Sequence, residues 1–566
     1  MNDSLPAAFR RGAASARSAF ARHPRVATLA MAAAVAVLLA LSIARTYALG
    51  QHARMYDNPV YRWRESLAIA LSRMQTPPLH GYLAYRSVRD YLGAHGLALS
   101  ADEGGPVPTP GERRALVTDG HRMDRLIRDA AHIPVDATRE PVILKANELG
   151  LADFYYWAFR LFGLKVEALV PFYYSILLVS IILFFWTFRG SPFCLLVLML
   201  YLAGHYFVID YANQPFIQAV HSSRFFPVLA LLPTLHLLLL LWRRAPPTAI
   251  NVAIAAVQTA ILMFVLFCRG QALWQALAVL ASALVLVRYR DLWRALPRPA
   301  SWPGMLAALG RDTWPALVVV CGLAGLLVYV ARAPDARFYR AESNTHIFWH
   351  TVYVGLISAD RELARRYGYG EDRYSDGLSY VAALHDLRGR NETSQGVSEV
   401  VDGVITIDIW KDTAAFERVL RRLFFEVVAE HPWLTLRSFL AGKPRDQFAM
   451  LFGSHLEPSG RKPNIPPMWN ARAYLEILGL AFGASLLALA AGAGLPCRKR
   501  AKDAALTLIP LAACSWITTL IMPSPLIVDV IVLYLMLALL VAAYLPLALA
   551  WDRLTAEKLD SRVKTP

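Results

Sequence analysis

Three carboxylates stand where a general base would be useful. Asp57 follows shortly after the first apolar run, and Glu148 and Asp153 come just ahead of an aromatic stretch that leads into the next one. A carboxylate within hydrogen-bond reach of an acceptor hydroxyl takes its proton as a new bond forms. Each has a plainer role beside it: Asp57 precedes Pro59 and could cap the helix that starts there. Asp102-Glu103 is a further pair, but its neighbours Gly104, Gly105 and Pro106 have the composition of a solvated turn.

A second set is cationic. Arg45, Arg224, Arg269 and Arg332 fall at the ends of apolar runs where membrane topology alone gives no reason for a positive charge. A guanidinium contacts a phosphate through two parallel N–H groups, so Arg224 and Arg269 are candidates to clamp an anionic headgroup. Arg269 is the sharper of the two. Its connection, Cys268 to Gln275, is too short to carry the side chain far from an interface; snorkelling to lipid headgroups is the alternative.

A third set lies further on. Glu342, His346 and His350 recur at i, i+4 and i+8 with Trp349 and Tyr353 interleaved, which places them on one face of a helix. That spacing allows a divalent cation, although the His-Glu-x-x-His pattern of zinc peptidases is absent. Aromatics beside polar donors also suit a carbohydrate, so His346, Trp349 and His350 are substrate-binding candidates, with packing or capping as the competing role. No cofactor is named by the sequence beyond that cation. There is no Walker loop and no Gly-rich dinucleotide turn.

The elements that must position these residues are mostly apolar helices. The chain has 566 residues, is 56% hydrophobic and has a mean hydropathy of +0.38. Windows long enough to cross a bilayer predict about ten spans, over 26–44, 168–188, 193–209, 225–242, 249–267, 271–287, 315–332, 473–493, 504–521 and 526–548. The fold class expected is an all-α polytopic membrane protein with two large outer loops. The chain then divides into a cytosolic N-terminus with the first span (1–45), a first outer loop (46–167), spans two to seven (168–333), a small, mainly helical outer domain (334–472), and the last three spans with the C-terminus (473–566).

Charge sets the orientation. Arg10, Arg11, Arg17, Arg22 and Arg25 precede the first span, Arg189, Arg243 and Arg244 lie in short connections, and Arg498, Lys499 and Arg500 come before the ninth. The positive-inside rule therefore predicts both termini in the cytosol. The net charge of +16 is explained by these flanks, as contact with anionic lipid and not with nucleic acid. The length of the first run favours an uncleaved anchor over a signal peptide. All five cysteines sit in or beside spans, so disulfides are no part of the design. The Ala, Leu and Arg-rich style of the spans suits a bacterial cytoplasmic membrane.

Inside the loops some elements are readable. Asn58 to Met74 is compatible with a helix that ends before Pro77-Pro78. Asp153 to Phe162 is aromatic on nearly every side, which suits a helix at headgroup level. Phe416, Val419, Leu420, Leu423, Phe424, Val427 and Val428 form a helical stripe behind a cap at Asp412 or Thr413, and Val400 to Ile409 reads as a strand or hairpin arm near Asp402-Gly403.

In the first loop, Asp57-Asn58 followed by Thr76-Pro77-Pro78-Leu79-His80 resembles the GT-C superfamily of polytopic glycosyltransferases, in particular its protein mannosyltransferase branch. Those enzymes carry an Asp-Glu pair soon after the first span and a His-Pro-Pro-Leu turn later in the same loop. Here Asn58 replaces the Glu and the histidine follows the turn. The resemblance implies transfer of a sugar from a polyprenyl-phosphate donor to an envelope glycan, lipid or protein on the outer face, with Asp57 as base. A polysaccharide polymerase or ligase, or a transporter or assembly protein without catalysis, fits the same plan.

Overall fold

The computed structural model describes residues 24–55, 62–76, 78–98, 104–135, 141–143, 149–213, 219–290, 302–332, 348–369, 371, 376–390, 398–401, 404–407, 413–443 and 445–446. The expected spans over 473–493, 504–521 and 526–548 lie outside the described residues, as do Asp57, Glu148, Glu342 and His346. The described chain is mainly helical, with two short antiparallel strand pairs.

The apolar helices run back and forth as one bundle: α1 (Pro24–Ala48), α7 (Leu169–Phe188), α8 (Pro192–Ala212), α9 (Phe226–Trp242), α10 (Ala249–Cys268), α11 (Leu273–Arg290) and α12 (Trp302–Arg332). Thr28–Ala48, Val166–Phe188, Ala249–Cys268 and Thr313–Arg332 are each long and apolar enough to cross a membrane, and the cores of α8, α9 and α11 are shorter apolar helices. A twenty-residue helix is about 30 Å long, the thickness of a hydrocarbon core. Burial sorts the helices by place. Every residue of α9 is buried, which makes it the central helix. By contrast α1 exposes Val26, Leu29, Val37 and Leu41, α7 exposes Leu178, Val179, Ile182 and Trp186, and α12 exposes Leu317, Val320, Leu327 and Val328. Large apolar side chains left bare along whole helices need an apolar surround.

Polar groups inside the bundle pair between helices. Ser180 donates to Gln258 Oε1 at 2.8 Å, and Gln258 Nε2 lies 2.9 Å from His236 Nδ1. Thr234 donates to Gln275 Oε1 at 3.0 Å, and Gln275 donates to the Pro227 carbonyl at 2.7 Å. These bonds join α7, α9, α10 and α11, because an unmatched amide in an apolar interior is costly.

The chain between α1 and α7 folds against one end of the bundle. It contains α2 (Arg62–Ser72), β1 (Leu83–Tyr85), α3 (Arg86–Leu92), α4 (Pro110–Thr118), α5 (Gly120–Ala131), β2 (Pro141–Ile143) and α6 (Leu149–Phe162). Strands β1 and β2 pair antiparallel, Leu83 opposite Ile143. Helix α4 opens on a capping box between Thr109 and Glu112, and Asp119 caps α5. The aromatic stretch expected at headgroup level is more deeply packed than its composition suggested. Helix α6 buries Asp153, Phe154, Tyr155 and Phe159, and only Trp157, Arg160 and Leu161 are exposed.

A second unit follows α12. Helices α13 (Phe348–Ala359), α14 (Arg361–Tyr367), α15 (Asp376–Arg390), α16 (Thr413–Glu430) and α17 (Pro432–Arg437) enclose their own core of Tyr353, Leu356, Ile357, Leu378, Phe416, Leu420 and Val427. The expected stripe of α16 is what faces this core. The stretch read as a strand or hairpin arm over Val400 to Ile409 contributes to a strand pair, β3 (Ser398–Val401) with β4 (Val404–Ile407).

Candidate functional site

Helix α6 is seated by one glycine. A Cβ at Gly150 would collide with the Cys268 amide nitrogen and the Phe267 carbonyl group, so only glycine lets α6 lie against the end of α10. One turn later Asp153 is buried at the junction of α2, β1 and α6. Arg73, just past α2, pairs with its Oδ1, and the Tyr82 hydroxyl donates to its Oδ2 at 2.8 Å. The hydroxyl oxygens of Tyr82 and Tyr329 are 3.2 Å apart, which ties the cluster to the end of α12. Phe267 packs edge-on against both rings at 5.8 Å. Burial, then the Asp153 charge, pushes the Tyr82 phenol far above its ordinary pKa, so it remains a donor. With both oxygens engaged, Asp153 holds Arg73 in place.

Arg73 in turn forms one wall of a polar cavity of about 320 Å³, whose lining also includes Thr76, Pro78, His80, Tyr156 and Arg160. The turn over this cavity is fixed from behind. Buried Gln75 donates to the Ala130 carbonyl at 2.9 Å, and Ser72 Oγ accepts from the Tyr85 amide at 2.9 Å. Tyr156 contacts two cations: the Arg73 guanidinium is 4.5 Å from its ring centre, and Arg160 donates to its hydroxyl at 3.3 Å. Such a site can bind and orient an anion.

A second neighbourhood lies where α1 meets the end of α8. Arg45 makes two bonds to Asp210, at 2.8 and 3.1 Å. Gln51 donates to the Ile209 carbonyl and accepts from the Val220 amide, both at 3.0 Å. His221 Nε2 lies 3.0 Å from the Arg54 carbonyl and therefore donates to it. Burial pushes this imidazole down to about 4, so it is neutral near pH 7. The half-buried Arg224 sits in the same turn, so the chain at Gln51 and Arg54 is tied to the connection that carries Arg224. The rings of Phe154, Phe172 and Phe226 join this neighbourhood to the Asp153 cluster.

Arg269 is half-buried in an extended conformation directly after α10, beside the seat of Gly150, and Arg332 is exposed at the end of α12. His205 is within 3.0 Å of the Tyr173 hydroxyl, inside the bundle. Trp349 and His350 lie in the second unit. Their backbone N–H groups donate to the Glu417 carboxylate at 2.6 and 2.9 Å, His350 Nδ1 is 2.7 Å from Ser379 Oγ, and Trp349 packs on Phe424 and Phe425. These partners close the start of α13 onto α16. Among the described residues no group of three or more His, Cys, Asp or Glu is placed to hold a metal ion.

The sequence gives little sign of the cavity residues Arg73, Tyr156 and Arg160. Their signals were slight: an arginine just before the Thr76-Pro77-Pro78 turn, and a Tyr-Arg pair at i, i+4. No protein-family model, no curated protein and no solved structure matches the chain.

Proposed function

We propose that the chain is an integral-membrane glycosyltransferase that moves a sugar from a polyprenyl-phosphate donor to an envelope glycan, lipid or protein. About ten spans would place both termini in the cytosol of a bacterium and both loops outside the cytoplasmic membrane. The observation that carries the reading is the buried Asp153–Arg73 pair beside a polar cavity, at the point where α6 leads into the apolar bundle. Charges held at such a place serve a function more often than they serve stability.

In this reading Asp57 takes the proton of the acceptor hydroxyl, with Glu148 as its substitute. The hydroxyl oxygen bonds to the anomeric carbon, and the bond to the donor phosphate breaks with its electron pair leaving on the polyprenyl phosphate. Arg224 and Arg269 stabilise that leaving charge. Asp153 acts as a positioning residue for Arg73, and His346, Trp349 and His350 contribute to the acceptor side. A second reading, transport of a lipid-linked saccharide without cleavage, fits the same plan of apolar helices and outer loops.

The test is reconstitution of the purified protein with lipid extracted from cells that lack it. Release of free polyprenyl phosphate that Asp57→Asn abolishes supports transfer. Intact lipid-linked saccharide appearing on the far side of the vesicle, with no release, supports transport and removes the transferase reading.

A further inference from the structure

The cavity lined by Arg73, Thr76, Pro78, His80, Tyr156 and Arg160 is more basic than its structural partners require. Arg73, Arg160 and His80 face it, and Asp153, behind Arg73, is the one carboxylate that pairs with any of them among the described residues. Arg160 is exposed, and its hydrogen bond there is to the neutral hydroxyl of Tyr156. Its guanidinium and that of Arg73 lie 6.0 and 4.5 Å from the centre of the Tyr156 ring. Two cations brought to one aromatic ring with one carboxylate between them leave a net positive charge, which an anion would neutralise.

The helix that supplies Tyr156 and Arg160 carries a second stripe beside them. Trp157 is 45% exposed and Leu161 61% exposed, each one residue further along. On a helix these four residues form two adjacent i, i+4 rows, one polar and basic, the other apolar. A small soluble anion would use only the first row. An anionic amphiphile uses both, and α6 is held by Gly150 against the end of the bundle, where a lipid headgroup would sit.

We infer that this cavity, apart from the Arg224 and Arg269 assigned to the leaving phosphate, binds the phosphate of a phosphate-bearing lipid, with Arg73 and Arg160 contacting the phosphate and the lipid chain running over Trp157 and Leu161. Its volume of about 320 Å³ holds a phosphate with the first atoms esterified to it. Asp153 serves the site by fixing Arg73, and Tyr156 by contacting both guanidinium groups. The binding stands whether or not a sugar is transferred, since it depends on charge, room and the apolar stripe alone.

The test uses the full chain in a non-ionic maltoside detergent, with farnesyl phosphate, farnesol and inorganic phosphate as probes and affinity read by native mass spectrometry. Farnesyl phosphate is expected to bind and farnesol is not. Arg160→Ala, at an exposed position, should weaken farnesyl phosphate about tenfold or more, a difference of about 1.4 kcal/mol. The pair Trp157→Ala and Leu161→Ala should weaken farnesyl phosphate while leaving inorganic phosphate unchanged. Equal binding of farnesol, or no effect of Arg160→Ala in a protein that melts like the wild type, overturns the site. Inorganic phosphate binding as tightly as farnesyl phosphate overturns the lipid and leaves a free-anion site.

Discussion

Two carboxylate–arginine pairs in this chain have the same chemistry and different surroundings. Asp360 in the second unit caps α14, accepting from the Glu362 and Leu363 amides at 2.9 and 3.3 Å, and Arg437 closes over it at 2.6 and 3.0 Å. Burial pushes its pKa up, but the Arg437 and amide hydrogen bonds outweigh that and hold it below the ordinary carboxylate range. Among the described residues no backbone amide donates to Asp153. Its partners, Arg73 and Tyr82, come from chain far from it in sequence, and Arg73 also faces a cavity. The Asp360 pair finishes a helix end; the Asp153 pair aims a guanidinium. An ion pair says little about function until the open side of its cation is known.

The sharpest break of that comparison is Asp153→Ala, which leaves Arg73 largely buried beside Tyr82 without its partner. A loss of about 3 to 5 kcal/mol is expected, read as a large fall in melting temperature. Asp153→Asn keeps the shape and should cost less, yet it should still weaken farnesyl phosphate about tenfold because the charge that holds Arg73 is gone. If Asp153→Asn bound like the wild type, the two pairs would be equivalent.

Asp360→Ala is the matching change and removes a helix cap, at about 1 to 2 kcal/mol. Its pH behaviour has a definite sign. Because the folded pKa is lowered, the stabilisation is present above the unfolded value of about 4 and is lost as pH falls through the folded value. Urea unfolding of the wild type should weaken over that acid range, and the variant should lack this component.

Lys443 tests the second unit from the opposite direction. It is buried, with its ammonium 4.1 Å from the Phe439 ring centre, and burial pushes its pKa down to about 7. Between about 7 and the unfolded value of about 10 the unfolded chain binds more protons, so stability rises with pH there. Lys443→Met should flatten that slope. The smallest effect is expected for Arg160→Ala, within about 0.5 kcal/mol of wild-type stability; a large loss would mean that Arg160 supports the fold and not the cavity.

Local patterns made much of this legible. The stripe of α16 follows from its 3.6-residue period, and the β3–β4 hairpin from Asp402-Gly403 between β-branched runs. The seven apolar helices from α1 to α12 fall where uniform hydrophobic runs place them, with one instructive difference. The span expected over 315–332 is the second part of a longer helix, since α12 begins at Trp302 and passes through Pro315. The β1–β2 pair was not legible, because each strand has three residues and long-range pairing leaves no local trace. The cavity was hidden for the same reason: Arg73 and Asp153 are 80 positions apart, and only the packing of α2 on α6 brings them together.

The most direct measurement of the transferase account is mass spectrometry of envelope glycans and polyprenyl-linked sugars. It compares cells lacking this chain with cells carrying the wild type or Asp57→Asn. The account predicts that one sugar is lost from the envelope and that its lipid-linked donor accumulates, in the deletion and in the variant alike. An unchanged glycan profile in the deletion would contradict it.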